Sequence, residues 1–157
     1  MIFLDLDGTL TDSRRGICTS VQHALRVLGL PVPEIEALHW VIGPPLIDSF
    51  ARLGAPDPAS ALGHYRARFA ETGLFENAVY DGIPDVLASL RRAGSALSLA
   101  TAKPHVYATR ITAHFGLDRY LDHQFGPELD GTRNAKADLL AHACVLTGAD
   151  PAASIMV

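Results

Sequence analysis

The first four residues are apolar, and two carboxylates one residue apart follow them, Asp5 and Asp7, then Gly8 and Thr9. A short apolar run closed by turn residues reads as a buried strand. Over residues 13–80 the period changes. Ile17, Val21, Ala24, Leu25 and Leu28 recur at helical spacing, and Gly29 ends the run. Pro31 and Pro33 precede a short helix over 35–40, Gly43-Pro44-Pro45 breaks the chain, and 46–53 reads as a further helix. After Gly54, Pro56 and Pro58 a longer helix runs through Tyr65 and Phe69. No segment of this block shows the alternation of a strand.

From residue 81 helices alternate with short apolar runs. Ile83, Val86, Leu87 and Leu90 share one helical face, Arg91 and Arg92 sit where cations suit the helix dipole, and Gly94 stops the helix. Residues 96–100 read as a second buried strand ending in Thr101-Ala102-Lys103-Pro104. A helix over 105–114 carries Val106 and Ile111 on its apolar side, with Phe115 next to its end. A third short strand falls within 120–125. A turn over 130–138 leads into a helix through Leu139, Leu140, Ala143 and Leu146, and residues 154–157 read as a fourth buried strand. This alternation predicts an α/β fold, a parallel sheet with helices on both faces. Residues 1–12 and 81–157 form its core, and the helical block 13–80 is an insert.

Composition narrows the function classes. The chain has 157 residues, 48% of them apolar, which suits a packed globular protein and argues against disorder. The net charge is −4 and the basic residues are scattered, so no nucleic-acid partner is expected. Cys18 and Cys144 form no CxxC pair. No secretory signal peptide and no apolar run of membrane-spanning length is present, so a cytoplasmic location without a membrane partner is the default expectation.

The candidate chemistry centres on Asp5 and Asp7. At the carboxyl end of a strand in a parallel sheet they stand where ligands bind. Two carboxylates can hold a hard cation such as Mg²⁺. A carboxylate can also attack phosphorus and form an acyl phosphate, with a cation offsetting the repulsion between the two anions. A second carboxylate can give a proton to the leaving oxygen and take one from water. A calcium loop fits poorly, because it needs Gly at its sixth position and Glu at its twelfth. Counted from Asp5, Gly8 is fourth and Gly16 twelfth.

The segment Asp5-Leu6-Asp7-Gly8-Thr9-Leu10-Thr11-Asp12-Ser13 resembles the first motif of the haloacid dehalogenase superfamily, close to its phosphoglycolate phosphatase-like branch. The resemblance implies a Rossmann-like core with an inserted helical cap, here 13–80, and a Mg²⁺-dependent phosphatase of small phosphomonoesters. Asp5 would be nucleophile and metal ligand. Asp7 would be general acid and base, giving the metal its backbone carbonyl. Thr101, at the end of the second strand, matches the second motif. Lys136, in the first turn of a helix where the dipole disfavours a cation, matches the third; both would hold phosphate. Lys103 in Thr101-Ala102-Lys103-Pro104 matches a pattern of phosphoglycolate-type phosphatases, and is either a contact to the substrate's charged group or a surface lysine. In the cap, Ile42-Gly43-Pro44-Pro45-Leu46 resembles a segment of the same branch, so Gly43, Pro44 and Arg14 are candidates for substrate contact. A carboxylate at Asp7 argues against dehalogenases and phosphonatases, which need no proton for an alcohol leaving group. A sugar phosphomutase remains an alternative. The expected substrate is a phosphoglycolate- or nucleotide-type ester, and the expected state a monomer or weak homodimer.

In the superfamily the fourth strand runs into a fourth motif, Gly-Asp followed by another Asp a few residues on, which the sequence to Val157 does not contain. The sequence therefore reads as a core incomplete at its C-terminus, with part of its metal ligands and an exposed sheet edge. A truncated, non-catalytic binding or structural protein is the reading from a different class.

Overall fold

The computed structural model describes all residues, 1–157. The opening apolar run is strand β1 (Ile2–Leu4), and the chain continues through β2 (Thr11–Asp12) into helix α1 (Arg14–Val27). A 3-10 segment at Ile35–Val41, α2 (Leu46–Arg52), α3 (Pro58–Arg68) and a π-helical turn at Phe69–Gly73 follow. Then come β3 (Ala78–Val79), α4 (Ile83–Arg92), β4 (Leu97–Ala100), α5 (His105–His114), β5 (His123–Phe125), α6 (Lys136–Thr147) and β6 (Ile155–Met156). None of these helices is long and apolar enough to cross a membrane.

Four strands form one parallel sheet in the order β5-β4-β1-β6. Ile2 stands opposite Leu97 on one side and Ile155 on the other, and Ser98 stands opposite His123. The very short β2 and β3 pair separately. The chain divides into two compact units, Met1–Asp12 with Val79–Val157, and Ser13–Ala78.

In the first unit, Phe3, Ala100 and Phe125 from three neighbouring strands meet Leu139 and Ala143 of α6 in one apolar cluster. Every residue of β4 is buried, because it has a strand on each side and side chains pack on both faces. Each large apolar side chain removed from water there contributes about 1.5–3 kcal/mol.

The second unit is helical. The face of α1 carrying Ile17, Val21, Ala24 and Leu25 is buried. Gly29, at φ 67°, lets the chain turn back so that the Leu30 N–H reaches the Leu25 carbonyl at 2.9 Å. Tyr65 stacks on Phe69 at 5.2 Å between ring centroids and meets Phe50 edge-on at 6.3 Å. Arg68 donates to both carboxylate oxygens of Glu76, each at 2.9 Å, and to the Thr19 and Ser20 hydroxyls. That guanidinium holds the Glu76 carboxyl below the usual carboxylate range, against burial and with help from the Thr19 hydroxyl.

Several expectations of burial need correction. Val86, Val106 and Leu146 are exposed. On α4 the inward line runs through Ile83, Leu87 and Leu90, and on α5 through Tyr107, Ala108, Ile111 and Thr112, so Val86 and Val106 lie one helical step off it. The last strand is not buried: Ile155 and Val157 are 61% and 56% exposed, because β6 stands at the edge of the sheet with one neighbour. Strand pairs β2 and β3, and the π-helical turn, had no sequence signal.

Candidate active site

Asp5 leaves the carboxyl end of β1, a central strand whose neighbours β4 and β6 are reached by connections running in opposite directions. Such a switch point opens a crevice at the strand ends. The Asp5 N–H donates to the Val157 carbonyl at 2.8 Å. Asp5 Oδ1 accepts the Leu6 N–H at 2.8 Å, and Oδ2 accepts from Lys136 Nζ at 2.8 Å. The same ammonium donates to the carbonyl of Ala100, the last residue of β4, at 2.7 Å. One lysine at the first position of α6 thus ties together the ends of two neighbouring strands. Both charged groups stay open to solvent, with the Lys136 and Asp5 side chains 35% and 32% exposed.

The loop after Asp5 is held by its backbone. The Leu6 carbonyl accepts from the N–H groups of Leu10 and Thr11 at 2.9 and 3.0 Å, and Gly8, at φ 80°, donates to the Thr11 carbonyl at 2.8 Å. Leu6 and Leu10 are buried anchors, while Asp5 and Asp7, either side of Leu6, are only partly buried. Asp7 Oδ2 lies 2.9 Å from Lys103 Nζ. Its Oδ1 is buried and has no hydrogen-bond partner.

Thr101 follows β4 and is buried; its N–H donates to the Phe125 carbonyl at 3.0 Å. Its hydroxyl accepts the Lys103 N–H at 3.2 Å, and Pro104 is the residue at the N-cap of α5. Lys103 is not a surface lysine: its side chain is 5% exposed, because its ammonium turns inward onto Asp7.

The fold therefore brings Asp5, Asp7, Thr101, Lys103 and Lys136 into the unit that contains the sheet. Arg14, Gly43 and Pro44 belong to the other unit, Ser13–Ala78, where each is exposed and Gly43 adopts φ 105°. Sequence reasoning missed the partner of Lys103 and the Ala100 carbonyl. It also missed Gly126, where a Cβ would come within 2.5 Å of the Lys103 carbonyl oxygen. The only sequence signal for that clamp was a glycine directly after a strand.

No group of three or more His, Cys, Asp or Glu side chains gathers anywhere as a ready-made ion site. Asp5 and Asp7 offer two carboxylates, and the hard oxygen donors that Mg²⁺ takes, one or two carboxylates with waters and substrate phosphate, are of that kind.

A family profile described as haloacid dehalogenase-like hydrolase matches residues 2–157. A 5'-nucleotidase of Pseudomonas aeruginosa is 49% identical over 144 residues, 90% of this chain and 65% of that protein. The tyrosine-protein kinase PtkA of Mycobacterium tuberculosis is 40% identical over 158 residues, all of this chain and 54% of that protein. The chain thus spans between about half and two thirds of the length of these curated relatives. Among solved structures, a predicted phosphatase from Clostridium acetobutylicum superimposes with a TM-score of 0.91 at 39% identity, covering 99% of this chain and 73% of that one.

Proposed function

The chain belongs to the haloacid dehalogenase-like hydrolase family, and from that membership we propose that it is the catalytic part of a Mg²⁺-dependent phosphatase acting on small phosphomonoesters. The observation that carries the reading is that Asp5 and Asp7 follow β1 and Thr101 follows the neighbouring β4, with Lys136 of α6 bonded to Asp5 at 2.8 Å.

Each residue has a role its surroundings support. Asp5, oriented through its own backbone and Lys136, attacks phosphorus with a carboxylate oxygen. The bond from phosphorus to the alcohol oxygen breaks, that oxygen keeps the electron pair, and Asp7 gives it a proton. The product is an alcohol and a phosphoryl group esterified to Asp5. Water then attacks phosphorus, loses a proton to Asp7 and releases inorganic phosphate, and the electron pair returns to Asp5. Thr101 and Lys136 hold phosphate oxygens through this exchange. Asp7 enters the first step carrying the proton it gives, so the Asp5 carboxylate and a doubly charged phosphate outweigh the two ammonium groups and leave the occupied site net negative. The Asp5 carboxylate and the Asp7 backbone carbonyl would hold Mg²⁺, which would supply the positive charge that offsets it.

The same reading gives Ser13–Ala78 the part of a cap, with Arg14, Gly43 and Pro44 contributing to substrate choice, and gives the protein a cytoplasmic place of action as a monomer or weak homodimer. The substrate is a nucleotide- or phosphoglycolate-type ester; the relative named 5'-nucleotidase supports the former. The test is a panel of nucleoside monophosphates, phosphoglycolate and p-nitrophenyl phosphate with added Mg²⁺. Release of phosphate is expected for at least one of them, with Asp5→Asn lowering it by about 10³-fold or more. Asp5→Asn turnover within tenfold of the parent removes the mechanism.

A second reading follows from the relative named tyrosine-protein kinase. The esterified Asp5 would pass its phosphoryl group to a phenol oxygen in place of water. Incubating the phosphorylated protein with a tyrosine peptide and looking for phosphotyrosine decides between the two.

A further inference from the structure

We propose that Lys103 is the residue that positions Asp7, fixing the carboxyl group that exchanges protons in the proposed reaction through an ion pair to one of its oxygens. The proposal rests on the phosphatase reading above and gives Lys103 a role different from contact with the substrate's charged group.

The two oxygens of Asp7 have unequal surroundings. Oδ2 lies 2.9 Å from the Lys103 ammonium, and Oδ1 is buried without any hydrogen-bond partner. Buried polar atoms left in that condition are rare, because they lose water and gain nothing in return. The ion pair on Oδ2 holds the carboxylate in this orientation in spite of that cost. Without the lysine the carboxylate could rotate about its side-chain torsion and present either oxygen in several directions.

Lys103 is built to hold rather than to reach. Its side chain is 5% exposed, against 35% for Lys136, the other lysine of the site. Drawing its ammonium away toward a substrate would leave the Asp7 carboxylate partly buried with no cation beside it, which is unfavourable. The backbone under it is clamped from two directions. The Lys103 N–H donates to Thr101 Oγ1 at 3.2 Å, the Thr101 N–H to the Phe125 carbonyl at 3.0 Å, and the His105 N–H to the Pro127 carbonyl at 2.9 Å. Between those last two lies Gly126, and a Cβ there would stand 2.5 Å from the Lys103 carbonyl oxygen and 3.0 Å from His105 N. The turn carrying Lys103 is therefore pressed against the exit of β5 so closely that only glycine fits. Sites that hold a reacting group within a fraction of an ångström need supporting contacts of this kind.

The test compares an alkyl phosphate, whose alkoxide needs a proton, with p-nitrophenyl phosphate, whose leaving group does not. In the full chain, Lys103→Met is expected to lower kcat on the alkyl ester at least about tenfold more than on the nitrophenyl ester, with KM little changed on both. Lys103→Arg is expected to recover part of that difference. Equal losses on the two esters, no recovery with Lys103→Arg, or a rise in KM at constant kcat would overturn the proposal; the last outcome would make Lys103 a substrate contact. If Lys103→Met does not fold, the comparison moves to Asp7→Asn and the double variant Asp7→Asn/Lys103→Met. These should lose turnover with the same dependence on leaving group, and a further selective loss in the double variant would overturn the proposal. The underlying reading fails separately, through an active Asp5→Asn. An inactive Asp5→Asn together with an unselective Lys103→Met defeats this inference alone.

Discussion

At the scale of single residues, the two lysines of the site differ in kind. Lys136 sits at the first position of α6, where the helix dipole opposes its charge, and its ammonium is engaged by Asp5 and by the Ala100 carbonyl. Its exposure leaves room for a third partner on the solvent side. In the proposed reaction, replacing it would remove a preorganised charge from where negative charge builds up on phosphorus. Lys136→Met is expected to lower kcat by about 10²- to 10³-fold on any ester, without preference for leaving group. A selective loss on alkyl esters would show that Lys136 acts through the proton donor instead. Steady-state rates on the ester pair described above check this.

At the scale of elements, the helical unit Ser13–Ala78 is held by close backbone approach and by one partly buried ion pair. A Cβ on Gly16 would lie 2.0 Å from the Gly73 carbonyl oxygen, so α1 touches the π-helical turn with no side chain between them. Gly16→Ala is expected to cost about 1–3 kcal/mol, as overpacking does, and to lower the melting temperature by about 3–10 °C. Gly63, exposed on α3 with nothing near its missing Cβ, is the control with opposite sign. Gly63→Ala should stabilise by about 0.5–1 kcal/mol. Thermal unfolding followed by circular dichroism reads both. The Arg68–Glu76 pair adds a pH dependence. The Glu76 carboxyl is held below its ordinary range by Arg68, so the folded state keeps it ionised more readily than the unfolded chain does. Its contribution is fully present above the unfolded value of about 4.3 and is lost as pH falls from there through the folded value. Glu76→Gln should therefore lower the melting temperature near pH 7, with the gap to the parent closing toward pH 3. A gap of constant size across that range would assign the effect to packing rather than charge.

At the scale of the whole molecule, charge balance is the argument for a cation in the proposed reaction. Asp5 and Asp7 are each matched by a lysine before any substrate arrives. At about 4 Å and an effective dielectric of about 20, two unit charges interact by about 4 kcal/mol, close to a thousandfold in rate if wholly expressed in the barrier. Removing divalent ions with a chelator is expected to suppress turnover by a large part of that factor, and Mg²⁺ to restore it. Calorimetric titration should also show Mg²⁺ binding weakened in Asp5→Asn. Turnover unaffected by chelation would remove the metal from the reading.

What the amino-acid sequence determined alone is everything that is local along the chain. Apolar runs followed by turn residues placed β1 and β4, helical spacing closed by Gly29 and Gly94 placed α1 and α4, strand-end positions brought out Asp5, Asp7 and Thr101 as candidates, and a cation in the first turn of a helix brought out Lys136. These features depend on backbone preferences and on the side-chain period of a strand or helix, which need only neighbouring residues. Tertiary structure decided what depends on distant segments meeting. The edge position of β6 left Ile155 exposed, and the packing of α4 and α5 left Val86 and Val106 outside the buried lines. Most of all, it turned Lys103 from a residue near a strand end into the partner of Asp7. An ion pair of 2.9 Å forms only where two strand ends lie side by side, and no local spacing encodes which strands those are.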